Sequence, residues 1–286
     1  MSAVKDVFAD AARTQVDWLD FTQRVRFQGD SVDACTAFGM DLPRCRWVLQ
    51  AGGTGVNCAA LENYIPHTCG THTETVFHIT HHRYMRQSGH QLPPPLGFFE
   101  AQVIPCWAEI VHSPSSSIAE WASYPALEEN DLVVGATEIA RAIQALPSQN
   151  DTVEAVLLFV TGPDGATDWS DGAIDRPPYV TPAAITTLAN RFPRMQHLLT
   201  NLPSVDRRAD GGLVCSHRAF FAPDMTDDQS PCQYVRRTLT ELLRVPRNWP
   251  WPNGIEGIVC IAMAPIEGLD AIPSSVYFRA HKPANS

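Results

Sequence analysis

The sequence predicts an α/β fold, on three observations. Residues 153–161 (VEAVLLFVT) have the length and β-branching of a buried strand, stopped by Gly162 and Pro163. Thr181 followed by Pro182 combines an N-cap residue with proline at the first helical position, and it opens a helix to about Arg191. Residues 197–202 then read as a second strand. Strand, helix and strand in that order predict a parallel β-α-β unit.

The remaining elements follow along the chain. Residues 1–16 read as a short surface helix. Positions 17–50 mix Asp, Gly and aromatic residues and read as loop with short strands, the last one through Trp47, Val48 and Leu49 and stopping at Gly52 and Gly53. Residues 55–65 read as a strand that meets a turn at Pro66. From Cys69 to His78 β-branched residues are frequent, which predicts a strand or extended loop entering a short helix. Residues 89–97, with Pro93, Pro94 and Pro95, are a proline-rich loop, and 98–110 read as a strand pair. In 137–146 Ala and Ile recur at helical spacing before Pro147, which predicts a helix. Residues 257–263 (GIVCIAM) are another apolar strand. No repeat and no hinge-like linker separates these blocks, so residues 1–286 are expected to form a single domain.

Composition narrows the class. The chain has 286 residues, 44% hydrophobic and 18% charged, which reads as a globular protein with a sizeable core. Its net charge is -10 with no basic run to meet phosphates, so nucleic acid is not an expected partner. No stretch of 18 apolar residues occurs, so no membrane partner is expected. Lys5, Asp6, Asp10 and Arg13 interrupt the N-terminus, which does not resemble a signal peptide. The eight cysteines form no C-x-x-C pair. Reduced thiols and a cytoplasmic location are the expectation.

The chemistry concentrates around His67, His72 and His78, with His81 and His82 just beyond. In an extended segment residues two apart share a face, so His72 and Glu74 can enter one pocket. One helical turn after Glu74 would return His78 to it. Imidazole nitrogen with carboxylate oxygen suits zinc, manganese or iron. A solvated polar loop would explain the same spacing. The segment 203–217 (PSVDRRADGGLVCSH) adds Asp206, Asp210 and His217. Glu241 lies in TLTELLRVP, either as a metal ligand beside Leu239 and Leu242 or as a helix-surface residue near Arg236 and Arg237. Cys69 is a candidate nucleophile or a small buried filler. No Walker loop, dinucleotide fingerprint, H-E-x-x-H helix or G-x-S-x-G elbow is present.

The segment HTCGTHTETVFHI, His67 to Ile79, resembles the signature H-x-G-T-H-x-D-x-P-x-H of the metal-dependent cyclase and kynurenine formamidase-like hydrolase family. The likeness continues through YVTPAAITTLANRF at 179–192, NLPSVDRRADGG at 201–212 and His217, and spans roughly residues 50–265. It implies a swivelling β/β/α fold, with a mixed sheet curling into a partial barrel and helices outside, assembled as homodimers or homotetramers. It implies His72, Glu74, His217 and Glu241 as ligands of a divalent zinc or manganese ion and His78 as catalytic acid/base, and His67 is a further candidate ligand. The implied activity is hydrolysis of an amide, formamide or cyclic amide or ester bond in a small molecule by metal-activated water. The alternative is a metal-binding member of the family that has lost or changed catalysis. Three departures mark a divergent branch. Glu74 replaces the family's Asp. Thr68 stands where the family has its first His, and His67, one residue earlier, would point the other way in a strand unless a bulge returned it. An insertion is expected near 224–231. Trp18, Phe21, Phe38 and Trp47 are candidates for either a substrate pocket or core packing.

Overall fold

Strands whose side chains alternate between two apolar layers build the molecule, a computed structural model that describes residues 18–25, 27, 36–80, 96–112, 127–147, 150–170, 174–221, 236–246, 254–266 and 268–281. The expectations for 1–16, for His81 and His82, for most of the proline-rich loop and for the 224–231 insertion lie outside the described residues.

The chain runs from β1 (Leu19–Asp20) to a hairpin of β2 (Arg44–Leu49) and β3 (Cys58–Glu62), joined around the short helix α1 (Ala51–Thr54). A second short helix, α2 (Pro66–Cys69), leads into β4 (His72–Thr75), which ends in a 3₁₀ turn at Val76–His78. Then follow β5 (Leu96–Trp107), β6 (Glu109–Ile110), β7 (Leu132–Val134), α3 (Ala136–Gln144) and β8 (Ala155–Thr161). After β9 (Tyr179–Val180) come α4 (Pro182–Arg191), β10 (His197–Thr200), α5 (Cys215–Phe221) and β11 (Thr238–Glu241). The last strands are β12 (Ile255–Met263) and β13 (Ala271–Ala280).

Seven strands close a mixed barrel in the order β13-β12-β5-β8-β10-β11-β4, with β4 pairing back to β13 and β1 added outside β13. Neighbours from β5 through β8 and β10 to β11 are parallel, and the others antiparallel. Along β8, Ala155, Leu157 and Phe159 enter the barrel with Val103, Val259, Val276 and Phe278. Val156, Leu158 and Val160 face the opposite layer, with Ile139, Ile185, Leu188, Phe220 and Phe221 of the outer helices. This two-sided burial is why the strand reads as a continuous apolar run. Each buried Val, Leu, Ile or Phe among them contributes about 1.5–3 kcal/mol relative to exposure.

The predicted β-α-β unit is β8-α4-β10, parallel in register from His197 opposite Ala155. Thr181 caps α4 as expected: its Oγ1 accepts from the Ala184 N–H at 3.1 Å. Two readings are corrected. Residues 98–110 are not a strand pair but one long strand, β5, followed by the two-residue β6, which pairs with β7. Pro105 does not break β5, because β12 pairs with it only as far as Val103 and a residue without N–H is tolerated on that free side. Glu241 is not on a helix surface: 238–241 are a strand buried at every position. Phe21 is a barrel-core residue, whereas Trp47 is 51% exposed on the β2–β3 hairpin. Cys45, Cys58, Cys69, Cys106, Cys215 and Cys260 are free thiols. No helix among the described residues is long and apolar enough to cross a membrane.

Candidate metal centre

The register of β4 places the site. Thr73 points into the barrel, where its hydroxyl meets Thr240 Oγ1 at 2.9 Å and accepts from Ser274 Oγ at 2.7 Å. Alternation therefore turns His72 and Glu74 to the other face, with side chains 0% and 1% exposed. Antiparallel pairing sets Glu241 directly opposite His72, so the buried carboxylate of β11 joins the same face.

Three other segments converge on Glu74. The α2 turn carries His67, whose Nδ1 lies 2.6 Å from Glu74 Oε1. The expectation that His67 points away is thus corrected: it belongs to a helical turn rather than to a strand, so no bulge is needed. Thr68 stays out of the site, with its hydroxyl on the Ile65 carbonyl. Helix α5 brings His217, whose Nε2 is 2.8 Å from Glu74 Oε2 and 3.8 Å from Glu241 Oε1. The 3₁₀ turn after β4 returns His78, with Nε2 4.0 Å from Glu74 Oε1. The turn forms because Thr75 Oγ1 accepts from the Phe77 N–H.

Outer partners orient these groups. His72 Nδ1 bonds the Gly70 carbonyl at 3.0 Å. Asp206 holds His217 through Nδ1 at 2.5 Å and its backbone N–H at 3.2 Å. Asp270, just before β13, meets His78 Nδ1 at 2.9 Å and His67 Nε2 at 3.1 Å with one oxygen, Oδ2. The Val205 N–H donates to Glu241 Oε1 at 2.8 Å. Asp270 escaped sequence reading because 196 positions separate it from Glu74 and nothing near it in the chain hints at a site. Asp206 stands out in the sequence only as an acid of the 203–217 segment, with no role of its own.

The electrostatics set buried carboxylates against imidazoles and favour the protonated form of the latter. Burial opposes the protonated form of His72, but Glu241 and Glu74 outweigh it and raise its pKa to about 9. Burial opposes protonation of His67 as well, and bonds to Asp270 and Glu74 raise it to about 10. His217 is likewise pushed up against burial, chiefly by Glu74. Burial favours a neutral Glu74, yet His217 and His78 hold it well below the usual carboxylate range. Hydrogen bonds from His67 and His78 keep Asp270 ionised far below its usual range.

Two groups of ligand atoms each lie within 4.8 Å of one another: His67, Glu74 and His78, and the fully buried His72, Glu74 and Glu241. The second group passes a direct test of fit. With Nδ1 on the Gly70 carbonyl, His72 turns Nε2 toward Glu74 Oε1 at 3.4 Å and Glu241 Oε2 at 3.6 Å, yet this buried atom has no hydrogen-bond partner. Once unprotonated, this nitrogen and the two carboxylates form a donor set capable of holding a divalent ion.

No family model matches the chain, and no curated relative does. Among solved structures it is similar to isatin hydrolase A from Labrenzia aggregata bound to benzyl benzoate, with TM-score 0.59 and 15% identity over 98% of this chain and 100% of that one. A crystal structure of an isatin hydrolase bound to the product analogue thioisatinate gives TM-score 0.57 and 15% identity over 98% of both chains. A predicted metal-dependent hydrolase from Bacillus stearothermophilus gives 0.51 and 15%, over 92% of this chain and 97% of that one. At such identity the likeness is one of fold.

Proposed function

We propose that this chain is a divalent-metal-dependent hydrolase that cleaves an amide, formamide or cyclic amide or ester bond of a small molecule. The observation that carries the reading is the unpartnered, fully buried Nε2 of His72 aimed between Glu74 and Glu241. His72, Glu74, Glu241, His217 and His67 would hold zinc or manganese, which their nitrogen and oxygen donors suit. When bound, such an ion polarises a carbonyl and makes water acidic enough to ionise near neutral pH.

His78 acts as the acid/base. Its side chain is 25% exposed where His72 is sealed, so it stands at the open side of the centre. Asp270 fixes Nδ1 and leaves Nε2 to face the reacting atoms. From there His78 takes a proton from the attacking water and returns it to the leaving nitrogen or oxygen. Asp206 holds His217 in one tautomer, as carboxylate partners of ligating imidazoles do.

The free thiols support a reducing compartment, the cytoplasm. The exposed Trp47, Val48 and Leu61 of a two-stranded hairpin support assembly of two or four copies. The shared fold of the isatin hydrolases puts isatin into the substrate screen, beside aryl formamides, lactams and lactones. Hydrolysis that chelator abolishes and zinc or manganese restores is the expected result. No turnover of any member by metal-loaded protein defeats the hydrolase assignment.

A further inference from the structure

Three consecutive residues in the turn after β10 hold three different parts of the molecule. The Val205 N–H holds the carboxylate of Glu241, and Asp206 holds the imidazole of His217. Arg207 turns away from the centre. Its Nε lies 3.4 Å from Asp131 Oδ2 and its Nη2 lies 2.7 Å from Glu128 Oε1. Asp131 is 2% exposed and sits immediately before β7. It also accepts from the Tyr179 hydroxyl at 3.1 Å and the Glu128 N–H at 2.9 Å. The neighbour of Tyr179 closes the loop of contacts, since the Val180 N–H donates to the Val205 carbonyl at 2.9 Å.

We propose that Arg207 is a positioning residue of the metal centre: anchored on the buried carboxylate of Asp131, it fixes the turn that sets Glu241 and His217 against each other. This inference rests on the reading of the centre as a metal site. Adjacent Cα atoms stand about 3.8 Å apart and are joined by rigid peptide planes, so a shift at Arg207 must be taken up by the φ and ψ angles of Asp206 and Val205, whose own groups hold His217 and Glu241. His217 Nε2 and Glu241 Oε1 are only 3.8 Å apart, and a coordination sphere tolerates errors of about 0.2 Å in each ligand distance. Without the guanidinium, Asp131 keeps Tyr179, the Glu128 N–H and the more exposed Arg176, whose Nη1 lies 3.4 Å from Oδ1, but loses its most buried cation, whose side chain is 10% exposed.

The test is Arg207→Gln in the full chain, with three readouts. Zinc affinity by competition against a chromogenic chelator should fall about 10–100-fold, the usual effect of removing a residue that orients a ligand. In metal-free protein the ¹⁵N shifts of the His217 imidazole, which report its tautomer and its bond to Asp206, should move. Arg207→Lys should recover part of both, because an ammonium reaches one carboxylate but lacks the fork that spans Asp131 and Glu128. A lower melting temperature with unchanged zinc affinity and unchanged His217 shifts overturns the proposal and leaves a purely structural ion pair. If Arg207→Gln does not fold, Tyr179→Phe removes a single donor from Asp131 and should show the same two changes at smaller size. Unchanged readouts there also overturn it. Wild-type protein that takes up no zinc defeats the metal assignment instead, and the His217 shifts then decide the anchor by themselves.

Discussion

Glu241 faces His72 across the antiparallel β11–β4 pair, with Oε2 3.6 Å from the imidazole Nε2. At that separation the two groups are placed to share a divalent ion, the role proposed for the pair. Glu241→Ala should therefore abolish tight metal binding, with zinc affinity reduced at least about 100-fold. A variant that keeps full metal content would show that the carboxylate serves only its bond from the Val205 N–H.

His217 and Asp206 should separate by degree. His217→Ala removes a donor and should lose most of the bound metal. Asp206→Asn keeps all proposed ligands and changes only their orientation, so the loss should be about 10–100-fold. Equal effects of the two substitutions, read by metal titration, would mean that Asp206 is needed for folding of the 201–212 turn itself.

The raised pKa values give a pH signature with a definite sign. In the metal-free protein His67 and His72 have pKa values of about 10 and about 9, above the roughly 6.5 of an unfolded histidine. Their contribution to stability is complete below about 6.5 and is lost as pH rises through 9 to 10. A metal ion needs the same nitrogens unprotonated, so its affinity rises over that range and binding releases protons. The gap in melting temperature between loaded and chelated protein should widen from pH 7 to pH 10. A gap that narrows would contradict the ligand roles of these two residues.

His197 predicts the opposite limb. It is buried inside the barrel against Phe99, and burial lowers its pKa to about 4. A histidine held neutral in the fold destabilises it as pH falls from about 6.5 toward 4, because the unfolded chain binds the proton more readily. His197→Gln should flatten that part of the stability profile without changing metal content.

For His78 the expected result is a split between rate and metal. His78→Ala should lose about 10²–10⁴-fold in turnover, with melting temperature and metal content near those of the parent. Loss of metal together with rate would instead make it a ligand of the outer group with His67 and Glu74.

Much of this was legible in the chain. Residue spacing of two put His72 and Glu74 on one face, and the buried strand β8 with the Thr181 cap announced the parallel unit. What sequence pattern missed came from long-range register. For Glu241 the pattern leaves a metal ligand and a helix-surface residue near Arg236 and Arg237 both open. Only pairing with β4 reveals that Thr238 and Thr240 face the barrel while Glu241 faces His72. Strand β13 went unread because Pro273 and two serines break its apolar pattern, and Asp270 was lost with it. For His67 strand geometry is the wrong guide, because Pro66 starts a helical turn.

Metal content tests the account most directly. Elemental analysis of the chain purified without added metal should find zinc or manganese near stoichiometry, removable by chelator and restored by titration. The same protein carrying no metal, and taking up neither ion when titrated, would contradict the central claim.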